Sequence, residues 1–439
     1  MTTEMRPGED SSQRKPRLGF LLRLMLPFAF AYFLSHIYRS LNAVIAPDLM
    51  EAIGLSAADL GLLTSTFMLA FALAQLPLGV LLDLFGPRRV EATLLCVAVL
   101  GGLLFATADN VIVLAMARAL MGLGVAACLM AALKAMTADL PSNWLMPAHC
   151  LLVAVGGLGA IMATAPAESL VGLLGWRAVF IALAGSTAIA SLVILVLIKD
   201  PPGTRRRTTW RREVVGLRRA LGHRFFLGVG PAVGLIQGGF MAIQTLWAGP
   251  WLYSVAGLDR ASVGRYLLLM AAGMVAGYLV NGFLGARVSK WGVNPIMVAI
   301  GGSALLLASL GTIIAMGGQA PLSLWIVYGF FGTSAPMCFA MIGREVPLQY
   351  VGRVSTAMNF LVFAAAFAFQ WGIGAIIKLW STGPAGESPL LAYQAAFSLA
   401  LTVQLLGWMW LVRTALAMQR AAIAAGQGPL VAQGAKRPD

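Results

Sequence analysis

Arg39 stands in an apolar stretch, sixteen residues after Arg23 and nine before Asp48. In a helix rising 1.5 Å per residue, that places its guanidinium roughly 13 Å from the nearer end. A charge at such depth in a membrane costs at least about 2.5–3.5 kcal/mol unless it faces water or a partner. Tyr32, His36 and Arg39 recur at i, i+4, i+7, and Ser35, Arg39 and Asn42 do likewise. The result is one polar stripe on an otherwise apolar helix. A guanidinium offers fixed, planar donors suited to a carboxylate or phosphate. The chemistry expected here is recognition of an anion; pairing of Arg39 to a helix end or to another span is the structural alternative. No Gly-Lys-Ser/Thr phosphate loop, zinc-ligand cluster or nucleophile elbow occurs, so neither an enzyme nor a cofactor is expected, and ATP-driven transport by this chain alone is disfavoured.

Movement of a proton needs a buried group whose charge can change. Acids inside the apolar stretches read as almost absent: Glu168 falls near one end of a span, Asp139 and Glu345 near the ends of others. His36, one turn from Arg39, is the leading proton candidate, although a lone His is as often a satisfied polar residue. His149 is a weaker second. Gln237 and Gln244, seven apart, and Asn359 offer neutral hydrogen bonds for an opposing wall, with Trp247 and Gln370 as further lining candidates. Trp251 reads as an interfacial anchor, and Lys134 as a residue that snorkels.

The elements that position these residues follow from composition. The chain has 439 residues, 59% hydrophobic and 11% charged. A bilayer-spanning helix needs roughly 20 mostly apolar residues. Twelve such stretches are read at 20–46, 57–82, 90–109, 110–137, 147–171, 176–198, 225–252, 260–286, 293–317, 320–345, 351–379 and 389–414. The period-two alternation of a lipid-facing barrel is missing, so helices are the workable solution. The fold class is all-α: twelve transmembrane helices in two pseudo-symmetric bundles of six.

The net charge is +14, but its distribution argues against nucleic acid. With the N-terminus cytoplasmic, most of the 31 Lys and Arg fall in the tails and the cytoplasmic loops, the positive-inside bias. Both termini are therefore expected in the cytoplasm. The organisation reads as a tail at 1–19, a bundle at 20–198, a basic linker at 199–224, a second bundle at 225–414 and a tail at 415–439. In the linker, Trp210, Val214, Leu217, Leu221 and Phe225 recur at helical spacing opposite Arg211, Arg212, Arg218 and Arg219. That pattern suits an amphipathic helix on the anionic leaflet, or a solvated linker that only sets topology. Cys96, Cys128, Cys150 and Cys338 all lie in apolar stretches and read as small core residues. Residues 1–18 lack the cleavage pattern of a secretory signal, so the first span should be retained.

After the second span comes Gly79-Val-Leu-Leu-Asp83-Leu-Phe-Gly86-Pro-Arg88-Arg89, with a weak echo after the eighth, Gly282 to Gly292. Twelve spans, the central basic loop and this Gly-x-x-x-Asp-x-x-Gly-x-Arg segment resemble the major facilitator superfamily, over nearly the whole chain. The resemblance implies a cytoplasmic latch formed by Asp83 with Arg88 and Arg89. Leu84 stands where the family has Arg, and Ala286 breaks the second copy, so the second latch is expected to be degraded. Arg344, Glu345 and Arg353 are expected at the same gate or as a topology signal. Arg118-Ala-Leu-Met-Gly122-Leu-Gly124 resembles the family's Arg-x-x-x-Gly-x-Gly signature, implying proton linkage or helix packing for Arg118; Met121 replaces the usual Gln. Tyr38-Arg39 followed by Pro47 is similar to the first helix of the organophosphate and organic-anion branches, whose matching Arg binds substrate. A second cavity Arg in the seventh span is missing, which favours a singly charged anion. Gly352 to Asn359 and Gln370 to Gly374 resemble a bacterial branch related to nitrate/nitrite and other small-anion carriers. Ala165-Pro166 breaks the exporter signature of the fifth span.

The resulting expectation is a bacterial inner-membrane transporter, monomeric, working by alternating access and importing a small carboxylate-like anion with a proton. Arg39, His36, Tyr32, Asn42, Gln237, Gln244 and Asn359 would bind substrate. His36 and Arg118 would couple the proton. The rivals are a multidrug or metabolite exporter, whose walls would be apolar and Met-containing, and a transporter-like receptor that binds without translocating.

Overall fold

The computed structural model describes residues 18–140, 142–198, 219, 221–290, 295–346, 348–380 and 390–424. The two tails in large part and nearly all of the basic linker, with its expected amphipathic helix, lie outside the described residues. The first half comprises α1 (Leu18–Ser40), α2 (Asn42–Ile53), α3 (Ala57–Phe85), α4 (Pro87–Ala106), α5 (Val111–Gly124), α6 (Cys128–Asp139), α7 (Ser142–Met162), α8 (Ala165–Leu174) and α9 (Trp176–Leu197). The second comprises α10 (Arg224–Ala242), a π turn at Ile243–Trp247, α11 (Ala248–Ser254), α12 (Arg260–Lys290), α13 (Pro295–Met316), α14 (Leu322–Phe331), a 3-10 segment at Ala335–Met341, α15 (Ile342–Glu345), α16 (Leu348–Trp380) and α17 (Leu390–Ala424). No strand occurs among the described residues.

Ten helices or joined helices are long and apolar enough to span a membrane, and the pair Leu151–Met162 and Ala165–Leu174, bent by 44°, makes an eleventh. The remaining expected span, 20–46, is α1 running into α2 across a one-residue break at Leu41. The last helix does not stop at 414. It continues to Ala424, because Ala415–Ala424 is rich in Ala and holds no Gly or Pro to end it.

Local chemistry explains the turns. Ser56 and Asp59 form a capping box at the start of α3, satisfying two backbone donors. Gly86 joins α3 to α4 at φ 81°, a backbone that only glycine adopts without strain, and Pro87 opens α4 at its first position, where no N–H is needed. The second glycine of the Gly79–Arg89 segment is thereby explained.

Contacts between the halves are reciprocal. α3 packs along α16, and α7 with α8 packs along α12. The second span of each half thus meets the fifth span of the other, the signature of a pseudo-twofold arrangement. The discontinuities are paired in the same way. The first and seventh spans are interrupted at Leu41 and by the π turn; the fourth and tenth are interrupted at Val125–Ala127 and Gly332–Met341. Broken helices are tolerated at membrane depth where the freed backbone is buried in protein or lines a cavity.

Candidate functional site between the two halves

Arg39 is the penultimate residue of α1, immediately before the first break. Its Cζ lies 5.1 Å from the ring centroid of Phe71 on α3 and 4.9 Å from that of Phe363 on α16. Those two rings stack on each other at 4.0 Å. One phenyl comes from each half, so the guanidinium is caught where the bundles meet. Tyr32, Cys128 at the start of α6 and Tyr278 on α12 are the ionisable side chains acting on it; no carboxylate among the described residues does. Its Nε is sealed and makes no hydrogen bond, while the residue as a whole keeps partial access. Cation–π contacts of this kind stabilise by about 0.5–2 kcal/mol, less than a charge-assisted bond to an anion would. Arg39 is therefore a cation in want of a counter-ion.

The rest of the stripe is placed unevenly. His36 donates from Nδ1 to the Tyr32 carbonyl at 3.1 Å and meets the Tyr32 ring edge-on at 4.5 Å. Gly156 and Gly159 of α7 lie against Tyr32, Phe33 and His36; a Cβ at Gly156 would stand 2.5 Å from Tyr32 Cε1. His36 is thus part of the α1–α7 seam. Ser35 Oγ and Asn42 Oδ1 are buried without partners. Gln244 sits on the π turn, which packs against α1 and α2; π turns recur at functional sites. That turn is tied to α16, because Gln370 donates to Thr245 Oγ1 at 2.9 Å and Trp247 Nε1 donates to the Gln370 carbonyl at 3.1 Å. Gln237 is buried on α10 with Oε1 unpartnered, and Asn359 is half-buried one turn before Phe363. Neither is shown in contact with Arg39.

Arg118 lies fully buried, its Cζ 4.8 Å from the Phe105 ring and 5.4 Å from that of Phe180. Nη1 donates to the Tyr38 carbonyl at 3.0 Å, next to Arg39 in sequence. No acid faces it among the described residues. The arrangement ties α5 to the end of α1, just ahead of the break.

At one face of the molecule the halves are joined by an ion cluster that sequence reading passed over. Arg260, opening α12, makes a two-pronged contact with Asp48 at 3.0 and 2.8 Å, and its Nε lies 3.0 Å from Glu168 Oε1. Asp48 and Glu168 belong to the first half. Partly solvated pairs stabilise by about 0.2–1 kcal/mol. Arg260→Ala should therefore shift the equilibrium toward a state open at this face by up to about fivefold. Accessibility of a cysteine introduced at Gly249, which lines a cavity together with Asp48, Glu168 and Arg260, reports it; unchanged labelling would exclude a gate.

The expected latch at the opposite face is only partly described. Arg88, Arg89 and Arg353 each have partners, Glu345 ends α15, and the side chains of Asp83 and Arg344 lie outside the described residues. So do those of His149, Cys150, Asp139 and the echo segment Gly282–Gly292.

Two readings need correction. Trp251 is no interfacial anchor: it is wholly buried, stacked on Phe397 of α17 at 4.6 Å beside Tyr393. One acid near a span end also escaped the sequence reading. Glu91, on the second turn of α4, is wholly buried.

The major facilitator superfamily model matches residues 28–370. The chain belongs to the major facilitator superfamily. It is a membrane transporter and not an enzyme. A protein described as a probable sulfoacetate transporter, from Cupriavidus necator, is 24% identical over 350 residues, 75% of this chain and 80% of that one. A probable L-galactonate transporter of Escherichia coli is 40% identical over 83 residues, 19% of this chain and 18% of that one. Among solved structures, a bacterial homolog of the human lysosomal transporter Spinster superposes with a TM-score of 0.72 at 17% identity, covering 91% of this chain and 97% of that chain. The nucleoside transporter NupG gives 0.67 at 15% identity, covering 89% and 99%. These superpositions establish the shared facilitator fold.

Proposed function

We propose that this facilitator imports a small organic anion of the carboxylate or sulfonate class by proton symport, through alternating access. The observation that carries this reading is Arg39: a cation without a carboxylate partner among the described residues, at a break in the first span, held between one phenyl from each half. An anion bound there would touch both bundles and bias how they rock, the requirement for a transported substrate. A planar guanidinium suits carboxylate and sulfonate alike. The sulfoacetate and L-galactonate transporters among the relatives support an anionic cargo. Gln244, Ser35 and Asn42 would supply neutral hydrogen bonds. The chain would lie in a bacterial inner membrane with both termini cytoplasmic and the Asp48–Arg260 cluster outside.

A ligand that binds only the folded state raises its apparent stability by about 2.7 kcal/mol at a hundredfold excess over Kd. Thermal unfolding of the purified protein with sulfoacetate, other small sulfonates, sugar acids and lipophilic cations tests the class. Stabilisation by the anions and not by the cations is expected. The reverse pattern would instead establish the exporter reading.

A further inference from the structure

Glu91 takes no part in the anion site, and its surroundings are unlike those of any other described acid. It lies on the inward stripe of α4 with Val90, Ala92, Leu95 and Ala98, all buried. No nitrogen or oxygen donor reaches either carboxyl oxygen; the weak thiol donor of Cys128 is what faces them. The elements packed on α4 bring few polar groups. From α9, Ser191 donates to the Ala92 carbonyl and approaches Cys96. From α5, Arg118 sits at the far end of α4, over Phe105. From α3, Gln75 donates to the Ala126 carbonyl at the break in the fourth span, and the side chain of Asp83 lies outside the described residues. From α6 comes Cys128, whose thiol faces the Glu91 carboxyl, with Lys134 farther along. Arg88, one turn earlier on α4, has its own partner. A carboxylate sealed from water with only a thiol for donor is costly to ionise, so in this conformation the pocket holds the neutral acid, and the ionised form belongs to a conformation that lets water in.

Cys128 has a second neighbour in Arg39, since α1 packs on α6 as α4 does. One thiol at the helix break thus neighbours both the cation and the buried acid. From this juxtaposition we infer that Glu91 is the proton-carrying residue of the cycle, in place of His36. The inference rests on the symport reading above.

Charge bookkeeping shows how it would couple. With a singly charged anion on Arg39 and a proton on Glu91, the site is neutral. With both gone, Arg39 and the Glu91 carboxylate again sum to zero. Anion without proton leaves net −1, and proton without anion leaves net +1. Only neutral forms change access cheaply, because a net charge must otherwise be carried through a low-dielectric interior.

Glu91→Gln mimics the permanently protonated acid. In proteoliposomes, counterflow of the monoanion L-galactonate, which needs only the loaded form, should stay within about twofold of wild type. Accumulation driven by an inward proton gradient should fall by at least about tenfold, because the empty carrier cannot return neutral. Glu91→Asp should restore part of the gradient-driven accumulation. The infrared carbonyl band of a protonated carboxylic acid should be present in wild type and lost in Glu91→Gln. Gradient-driven accumulation by Glu91→Gln at the wild-type level would overturn the inference. So would loss of counterflow together with accumulation, the mark of a purely structural residue. Wild-type counterflow without any response to the proton gradient would overturn symport, and Glu91 with it, yet leave anion transport standing. Absence of wild-type counterflow with any small anion would instead sink the anion reading itself.

Discussion

Arg39→Ala should reduce saturable anion uptake at least about a hundredfold, equivalent to about 2.7 kcal/mol, with the protein still folded and in the membrane. A hydrogen bond to a charged group contributes about 1.5–3 kcal/mol, and a bidentate pair makes two of them. Loss of the cation also removes what selects an anion over a neutral molecule. Folding should survive, since Arg39 forms no ion pair among the described residues and its contacts are two aromatic faces, Phe71 and Phe363. Ala in their place leaves those rings stacked on each other. Arg39→Lys should be intermediate: the charge remains, but the planar fork does not. Uptake by membrane vesicles, normalised to protein present, gives the comparison. Wild-type affinity in Arg39→Ala would remove Arg39 from the binding site.

Gly122→Val should destabilise the protein by about 3 kcal/mol or more, or prevent it from folding. An added Cβ at Gly122 would run into the backbone of Phe67 on α3, and one at Gly124 into the backbone of Ala98 on α4. These are backbone atoms, not flexible side-chain ends, so the helices must separate. Small residues at helix crossings are how membrane bundles pack without a hydrophobic driving force. Thermal unfolding in detergent, or recovery of monodisperse protein, measures the cost. A midpoint at the wild-type value would show that α3, α4 and α5 have slack absent from this packing. The same geometry separates the parts of the Arg118–Gly124 signature. Its glycines serve close approach, and its Arg ties α5 to the end of α1.

Much of the architecture was legible because bilayer physics is written in composition. Helices 20 residues long must be apolar, and they read as such. Arg39 stood out for the same reason: a charge at that depth is conspicuous. The residues around it were not. Phe71 and Phe363 look like any other apolar residue, and only their meeting across the halves gives them meaning. Cys128 read as a small core residue because nothing in its own span marks the break before it. Glu91 was passed over because it follows Arg88 and Arg89 and blends into a charged segment; its burial depends on how α4 docks. The Asp48–Arg260–Glu168 cluster joins three spans far apart in sequence, and no local pattern announces such a meeting. Trp251 illustrates the opposite error, since an aromatic near a span end reads as an anchor until Tyr393 and Phe397, far away in sequence, are seen to cover it.

Counterflow in proteoliposomes tests the central claim most directly. Vesicles holding the wild-type protein are loaded with unlabelled L-galactonate and diluted into trace labelled L-galactonate. Transient, saturable accumulation of label is predicted, competed by small sulfonates and other small carboxylates and lost in Arg39→Ala. No accumulation above protein-free vesicles with any small sulfonate or carboxylate, alongside counterflow of a lipophilic cation, would contradict it.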